Sequence, residues 1–130
     1  MILVDTHIVV WLALQPDKIS KKARTAIEDA RRIGQGIGLS DIVLLEISAL
    51  ERKARIRINS SLETFLAEIE ARFIVLPITG RICVRALSLP ASYPNDPADR
   101  IIGATALVEG VPLITADAGI HGSKAVRTIW

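Results

Sequence analysis

The sequence of 130 residues sets 16 Lys and Arg against 14 Asp and Glu, with half its residues hydrophobic, 23% charged and 4% aromatic. A chain this long fits one domain, expected over residues 1–130, that buries roughly two-thirds of the surface its unfolded form exposes. Its lone cysteine, Cys83, excludes an internal disulfide and a cysteine-cluster metal site, and the expected role of that thiol is core filler.

In chain order, Met1 to Val4 is a short apolar run ending at Asp5, which suits a strand buried on both faces of a parallel sheet. Nothing in Met1-Ile2-Leu3-Val4-Asp5 has the basic start of a secretory signal, and the longest apolar runs fall short of the roughly 20 residues a membrane span needs. A cytoplasmic protein is the expectation. A helix is predicted from Thr6 through Leu14, ended by Pro16-Asp17. Ser20 is placed to cap a basic amphipathic helix that turns Ala23, Ala26, Ile27 and Ala30 inward and stops at Gly34, Gly36 and Gly38. Ile37 to Leu39 reads as a second strand. Ser40 is then expected to cap a third helix reaching about Ala54, and Ser60 or Ser61 a fourth ending near Ala71.

Phe73 to Leu76, bounded by Pro77, is predicted as a third buried strand, followed by a helix from about Thr79 to Leu87. Pro90 to Pro97 holds three prolines and Asn95-Asp96, a loop that closes on a helix start with Asp96 as cap and Pro97 in the first turn. That helix runs to about Glu109, with Gly110 beyond it. Leu113 to Thr115 and Val126 to Ile129 complete the strands. Strands separated by helices imply an α/β fold, a three-layer α/β/α sandwich around a mainly parallel sheet.

Four acids stand out. Asp5 and Asp117 each sit at or just beyond the C-terminal end of a predicted strand, where open parallel sheets place ligands. Glu46 has Ile42, Val43, Ala49 and Leu50 as its helical neighbours, and Asp99 has Ile102, Gly103 and Ala106, with Arg100 directed elsewhere. Both carboxylates therefore interrupt faces that should be apolar, where an unpaired charge is costly. Four convergent carboxylates would repel by on the order of 4 kcal/mol per close pair at an effective dielectric of about 20. Mg²⁺, or Mn²⁺ in its place, would offset this, because hard cations accept oxygen ligands and complete their shells with water and phosphate. Only His7 and His121 could offer nitrogen, so a dedicated zinc site is not expected. Each acid also has a structural reading: Asp96, Asp99, Asp5 and Asp117 as caps of helix starts, and Glu46 as partner of a buried arginine. His7 and His121 read as packing or solvent-facing residues, although His7 could touch substrate.

Basic residues bunch at Lys18 to Arg32 and at Arg52, Lys53, Arg55 and Arg57, which suits either solvated helix faces or a phosphate-tracking surface. The low aromatic content argues against a base-stacking platform. Val9, Val10, Leu12, Leu14, Leu44 and Leu45 exceed what one sheet face needs, so either core packing or a partner contact is expected of them. Gly34-Gln35-Gly36-Ile37-Gly38 lacks the order of a phosphate loop.

The chain resembles a PIN domain, and specifically the small VapC-type toxins of toxin–antitoxin pairs. The residues that carry the resemblance are Leu3-Val4-Asp5-Thr6, Ser40 followed by Glu46, Asp96-Pro97-Ala98-Asp99-Arg100, and Leu113-Ile114-Thr115-Ala116-Asp117. It implies a Mg²⁺-dependent endoribonuclease that acts on RNA, forms a homodimer and is neutralised by a small cognate antitoxin. It assigns Asp5, Glu46, Asp99 and Asp117 to the metal pocket, with Thr6 and Thr115 as polar support and Asp96 inside the matched motif. Two other readings of the acids stay open: a phosphatase or phosphotransferase with Asp5 as nucleophile, although Asp5-Thr6-His7 lacks a second acid two residues on, and an acidic-pocket binding module without catalysis.

Overall fold

The computed structural model describes residues 1–130 and contains five strands and seven α-helices. The strands are β1 (Ile2–Val4), β2 (Ile37–Ser40), β3 (Ile74–Leu76), β4 (Leu113–Ile114) and β5 (Thr128–Ile129). They form one sheet in the order β3-β2-β1-β4-β5, with every pairing parallel. The helices are α1 (Thr6–Leu14), α2 (Lys21–Arg32), α3 (Ile42–Arg52), α4 (Leu62–Arg72), α5 (Gly80–Leu87), α6 (Pro97–Glu109) and α7 (Ala118–Ser123). Successive residues of β1 point to opposite faces of the sheet, yet Ile2, Leu3 and Val4 are all buried. Helices therefore cover both faces, and the α/β/α sandwich is the architecture observed.

The chain leaves β1 and builds outward through β2 and β3 on one side, then crosses to β4 and β5 on the other. The order of strands thus reverses between β1 and β4, the kind of position where parallel sheets open a crevice at their C-terminal ends. Val4 is in register with Ile114, and the Asp5 amide donates to the Ile114 carbonyl (3.0 Å). This pairing brings the chain exits of β1 and β4 side by side.

Local signals explain the helix starts. Ser20 accepts from the Ala23 amide, Ser61 from Thr64 and Asp96 from Asp99, at 3.1, 3.1 and 3.0 Å. Gly110 closes α6 in the left-handed conformation at φ 68°. Ser40 departs from expectation. It is the buried last residue of β2, its hydroxyl accepts from Ile42 at 3.3 Å, and the capping position of α3 falls to Asp41. The Asp41 side chain does not cap. Its Oδ2 accepts instead from the Ile78 amide, tying the exit of β3 to the start of α3.

Two further expectations are corrected. The run at Phe73 to Leu76 is a strand, but an edge one: β3 pairs only with β2, and Ile74 is exposed. Cys83 is exposed on α5, because the buried face of that short helix is carried by Ile82 and Ala86. The apolar surplus divides between the two roles expected of it, and α5 adds to the exposed part. Val9 and Val10 belong to the main core, and Leu12, Leu14 and Leu44 pack against it, whereas Leu45 on α3 and Val84 and Leu87 on α5 are 65%, 70% and 86% exposed. No helix is long and apolar enough to cross a membrane.

Candidate active site

Asp5 follows β1 directly and is buried at 6% exposure. One of its carboxylate oxygens accepts from the Thr6 amide (2.8 Å), which caps α1, and the other from the Thr115 hydroxyl (2.7 Å). Thr115 follows β4 and is fully buried, so its hydroxyl fixes the rotamer of a carboxylate 110 positions away in sequence. The same hydroxyl accepts from the Asp117 amide (3.1 Å), and Asp117 caps α7 by accepting from Ile120 (3.0 Å). The register of β1 with β4 is therefore carried forward into the placement of two acids.

Glu46 lies in the second turn of α3, half-buried, and accepts a short hydrogen bond from the Thr6 hydroxyl. Asp99 stands in the first turn of α6, its amide donating to Asp96 while its carboxyl turns inward. Asp5, Glu46, Asp99 and Asp117 line one pocket of about 410 Å³ together with Asp96, His7 and Trp11. Capping and pocket placement are not alternatives here. Asp5, Asp96 and Asp117 each cap a helix and also face the pocket, because α1, α6 and α7 all begin at its rim.

The electrostatics are unbalanced. The structure contains one salt bridge, Arg32–Asp29 on the exposed face of α2, so the buried arginine weighed as a partner for Glu46 is absent. Burial, and then the neighbouring Asp5, Asp96, Glu46 and Asp117, push the Asp99 carboxyl up to about 7. Burial likewise raises Asp5, against the opposing hydrogen bonds from Thr115 and Thr6. Glu46 is raised by burial and by Asp5 and Asp96, with the Thr6 hydrogen bond opposing. A pocket that strains its own carboxylates in this way suits a hard cation. No three of these groups converge closely enough to hold an ion by themselves. Mg²⁺ takes one or two carboxylates and leaves the rest of its shell to water and phosphate, so it does not require three protein ligands drawn together.

Residues not singled out for a role in the sequence support the pocket. Tyr93, buried in the loop before α6, donates its hydroxyl to the Asp99 carbonyl (2.8 Å), and burial and the nearby carboxylates raise its phenol. Arg100 points away from the pocket, as its place on α6 requires, and its guanidinium donates to the carbonyls of Ala86, Leu89, Pro90 and Tyr93. It thereby fastens the proline-rich loop that carries Tyr93 and Asp96. The signal for both was the loop itself, a dense cluster of carbonyls lacking regular partners. His121 does not line the pocket but backs it. Its Nε2 meets the Thr115 carbonyl, so it donates there, and its Nδ1 accepts from the Thr128 hydroxyl, clasping β4 to β5. His7, by contrast, is exposed on the pocket wall.

Comparison with known proteins bears on the family and the fold. A family model described as PIN domain matches residues 2–122, a span that includes all four acids. Ribonuclease VapC22 of Mycobacterium tuberculosis (strain ATCC 25618 / H37Rv) is 30% identical over 131 residues, covering 99% of this chain and 98% of that protein. Among solved structures, a toxin-antitoxin complex from Klebsiella pneumoniae superimposes with a TM-score of 0.68 at 23% identity, over 97% of this chain and 95% of that one. VapBC2 from Rickettsia felis, bound to a DNA fragment from its promoter, gives 0.72 at 16% identity, over 98% and 97%. These two likenesses speak for the fold. With the family model spanning nearly the whole sequence and a full-length relative at 30% identity, the chain belongs to the PIN domain family.

Proposed function

We propose that this protein is a Mg²⁺-dependent endoribonuclease, with Mn²⁺ able to substitute, whose residues 1–130 form one nuclease domain working in the cytoplasm as the toxin of a toxin–antitoxin pair. The observation that carries the reading is the convergence of carboxylates from four separate segments on one pocket with no lysine or arginine among its walls. The relative named a ribonuclease supports RNA as the substrate, and the likeness to toxin–antitoxin complexes supports a small cognate antitoxin as partner. The exposed Val84 and Leu87 on α5 and Leu45 on α3 support further association, with a homodimer the simplest form.

Asp5, Asp99 and Asp117 are the metal-holding carboxylates of this proposal, with Glu46 beside them and Asp96 at the rim. Thr115 and Thr6 hold Asp5 and Glu46 in fixed rotamers, so the negative charge is in place before substrate arrives. Mg²⁺, once bound, supplies charge stabilisation at the phosphate and lowers the pKa of the attacking water. In-line attack by water leaves a 5′-phosphate on the product. A phosphotransferase with Asp5 as nucleophile fits less well, because Asp5-Thr6-His7 lacks a second acid two residues on and no lysine lines the pocket.

The test is cleavage of a total RNA pool by the purified protein. Cutting is expected with Mg²⁺, is lost on chelation and returns on adding the metal, while Asp5→Asn protein of unchanged circular dichroism is inactive. Wild-type cleavage by Asp5→Asn would falsify the assignment.

A further inference from the structure

The chain has two tryptophans, and the fold brings both to one place. Trp11 on α1 and Trp130 near the end of β5 have ring centroids 5.8 Å apart, tilted by 45°. One helical turn before Trp11 stands His7, its ring centroid 6.0 Å from that of Trp11 and tilted by 57°. The Lys18 ammonium lies 5.7 Å from the Trp11 ring.

This cluster is not part of the deep core. His7 is exposed and Trp11 half-buried, and both border the carboxylate pocket. His7 also borders a second cleft of about 230 Å³, whose walls include Thr6, Glu46, Lys53 and Arg55. The two clefts share His7 and Glu46, so the aromatic edge stands between an acidic floor and a cationic flank.

We propose that His7 and Trp11 form a stacking platform for one unpaired base beside the scissile phosphate, and that Lys53 and Arg55 hold a backbone phosphate of the same strand on the far side of His7. The position of the scissile phosphate rests on the nuclease reading above. Every nucleobase has a π-face, and aromatic and histidine rings stack on it with little regard to base identity. A base inside a duplex keeps that face covered by its neighbours, so the platform selects unpaired RNA. The overall aromatic content argued against stacking, but two rings suffice when the fold gathers them at the pocket edge. The basic run at Arg52 to Arg57 divides accordingly: Lys53 and Arg55 reach the cleft and act on phosphate.

Tryptophan emission tests this directly, because it arises from Trp11 and Trp130 alone. The probe is a mixed-sequence ten-nucleotide RNA, single-stranded or as a blunt duplex, added with Mg²⁺ to Asp99→Asn protein so that turnover does not interfere. The single strand is expected to quench the emission and the duplex to leave it unchanged. His7→Ala, at an exposed position, and Trp11→Leu should each weaken single-strand binding by roughly 5- to 100-fold, the range for a lost base stack, and Trp11→Phe should restore most of it. In the otherwise wild-type enzyme the same changes raise KM and leave kcat within about 3-fold, because an adjacent base is held alike before and during reaction. Lys53→Ala with Arg55→Ala should lower the slope of log affinity against log salt by about 0.7 for each phosphate no longer neutralised.

Absence of quenching together with wild-type KM in His7→Ala and Trp11→Leu overturns the platform, and an unchanged salt slope overturns the cationic flank. If the wild-type protein cuts RNA and these outcomes are found, the platform falls while the nuclease reading stands. If it cuts no RNA yet the single strand still quenches, the platform stands as a binding surface and the nuclease reading falls.

Discussion

Tyr93 rests so closely on Gly103 that α6 has no room for a Cβ at that turn, and the tyrosine hydroxyl reaches past it to the main-chain carbonyl of Asp99. A glycine inside a helix costs about 1 kcal/mol relative to alanine, so Gly103 is a local loss accepted for a tertiary contact. Alanine at this position would recover the propensity but push a buried phenol out of its site, and overpacking of this kind costs about 1–3 kcal/mol. Gly103→Ala is therefore expected to lower the melting temperature. In a Tyr93→Leu background the same change should be neutral or stabilising, because the atoms it collides with are gone. A double-mutant cycle by chemical denaturation reads the coupling, and additivity of the two changes would mean that the contact carries no energy.

The carboxylate pocket makes stability depend on pH in the metal-free protein. Asp99 is held protonated up to about 7 when folded, against 3.8 for the free side chain. A group whose pKa is raised by folding contributes stability that is fully present below the lower value and lost as pH rises through the upper one. The protein in chelator should thus be more stable at pH 5 than at pH 8, by about 1–2 kcal/mol for Asp99 once solvent screening of its half-exposed position is discounted. Adding Mg²⁺ at pH 8 should recover the loss, since a ligand bound only by the folded state stabilises it. Melting curves at the two pH values, with and without the metal, check both signs. A chelated protein more stable at pH 8 would show that the carboxylates do not strain one another.

Much of the layout was legible because it is written in local patterns. The apolar run before Asp5 and the one before Asp117 mark strand ends, and Glu46 and Asp99 stand out as charges on apolar helical faces. What stayed hidden depends on strand order and loop path. Ile74 looks as buried as Ile114 until β3 proves to be an edge strand, and Cys83 looks like core until α5 buries only Ile82 and Ala86. Trp11 and Trp130 are 119 positions apart and meet because α1 and the chain after β5 converge. Tyr93 and Arg100 act through an irregular loop whose course no periodicity encodes.

Asp99→Asn separates the two effects of that carboxyl. The amide keeps the shape and the main-chain bond to Asp96 but removes one negative charge from a crowded pocket. In chelator at pH 8 the variant should melt higher than wild type, since the neutral side chain no longer opposes Asp5 and Glu46. With Mg²⁺ the order should reverse, because the variant gains less from the metal, and cleavage should fall by on the order of 10²–10³-fold. Equal stabilisation of both proteins by Mg²⁺ would place the ion away from Asp99.

The end of α3 offers a change with the opposite consequence. Ala54 sits in the left-handed conformation at φ 55°, where the Arg55 amide reaches back to the Leu50 carbonyl (2.9 Å) to close the helix. Only glycine adopts that backbone without steric cost, and an alanine there loses about 1–2 kcal/mol. The Ala54 side chain is exposed, so removing it sacrifices no packing. Glycine also frees the unfolded chain, which returns about 0.4–1 kcal/mol of the gain. Ala54→Gly is thus expected to stabilise the protein by about 0.5–1 kcal/mol in urea denaturation. Because the turn it relaxes is the one that presents Lys53 and Arg55, single-strand affinity should stay within about 2-fold of wild type. A loss of stability would mean that the strained turn is held by contacts other than the helix-closing hydrogen bonds.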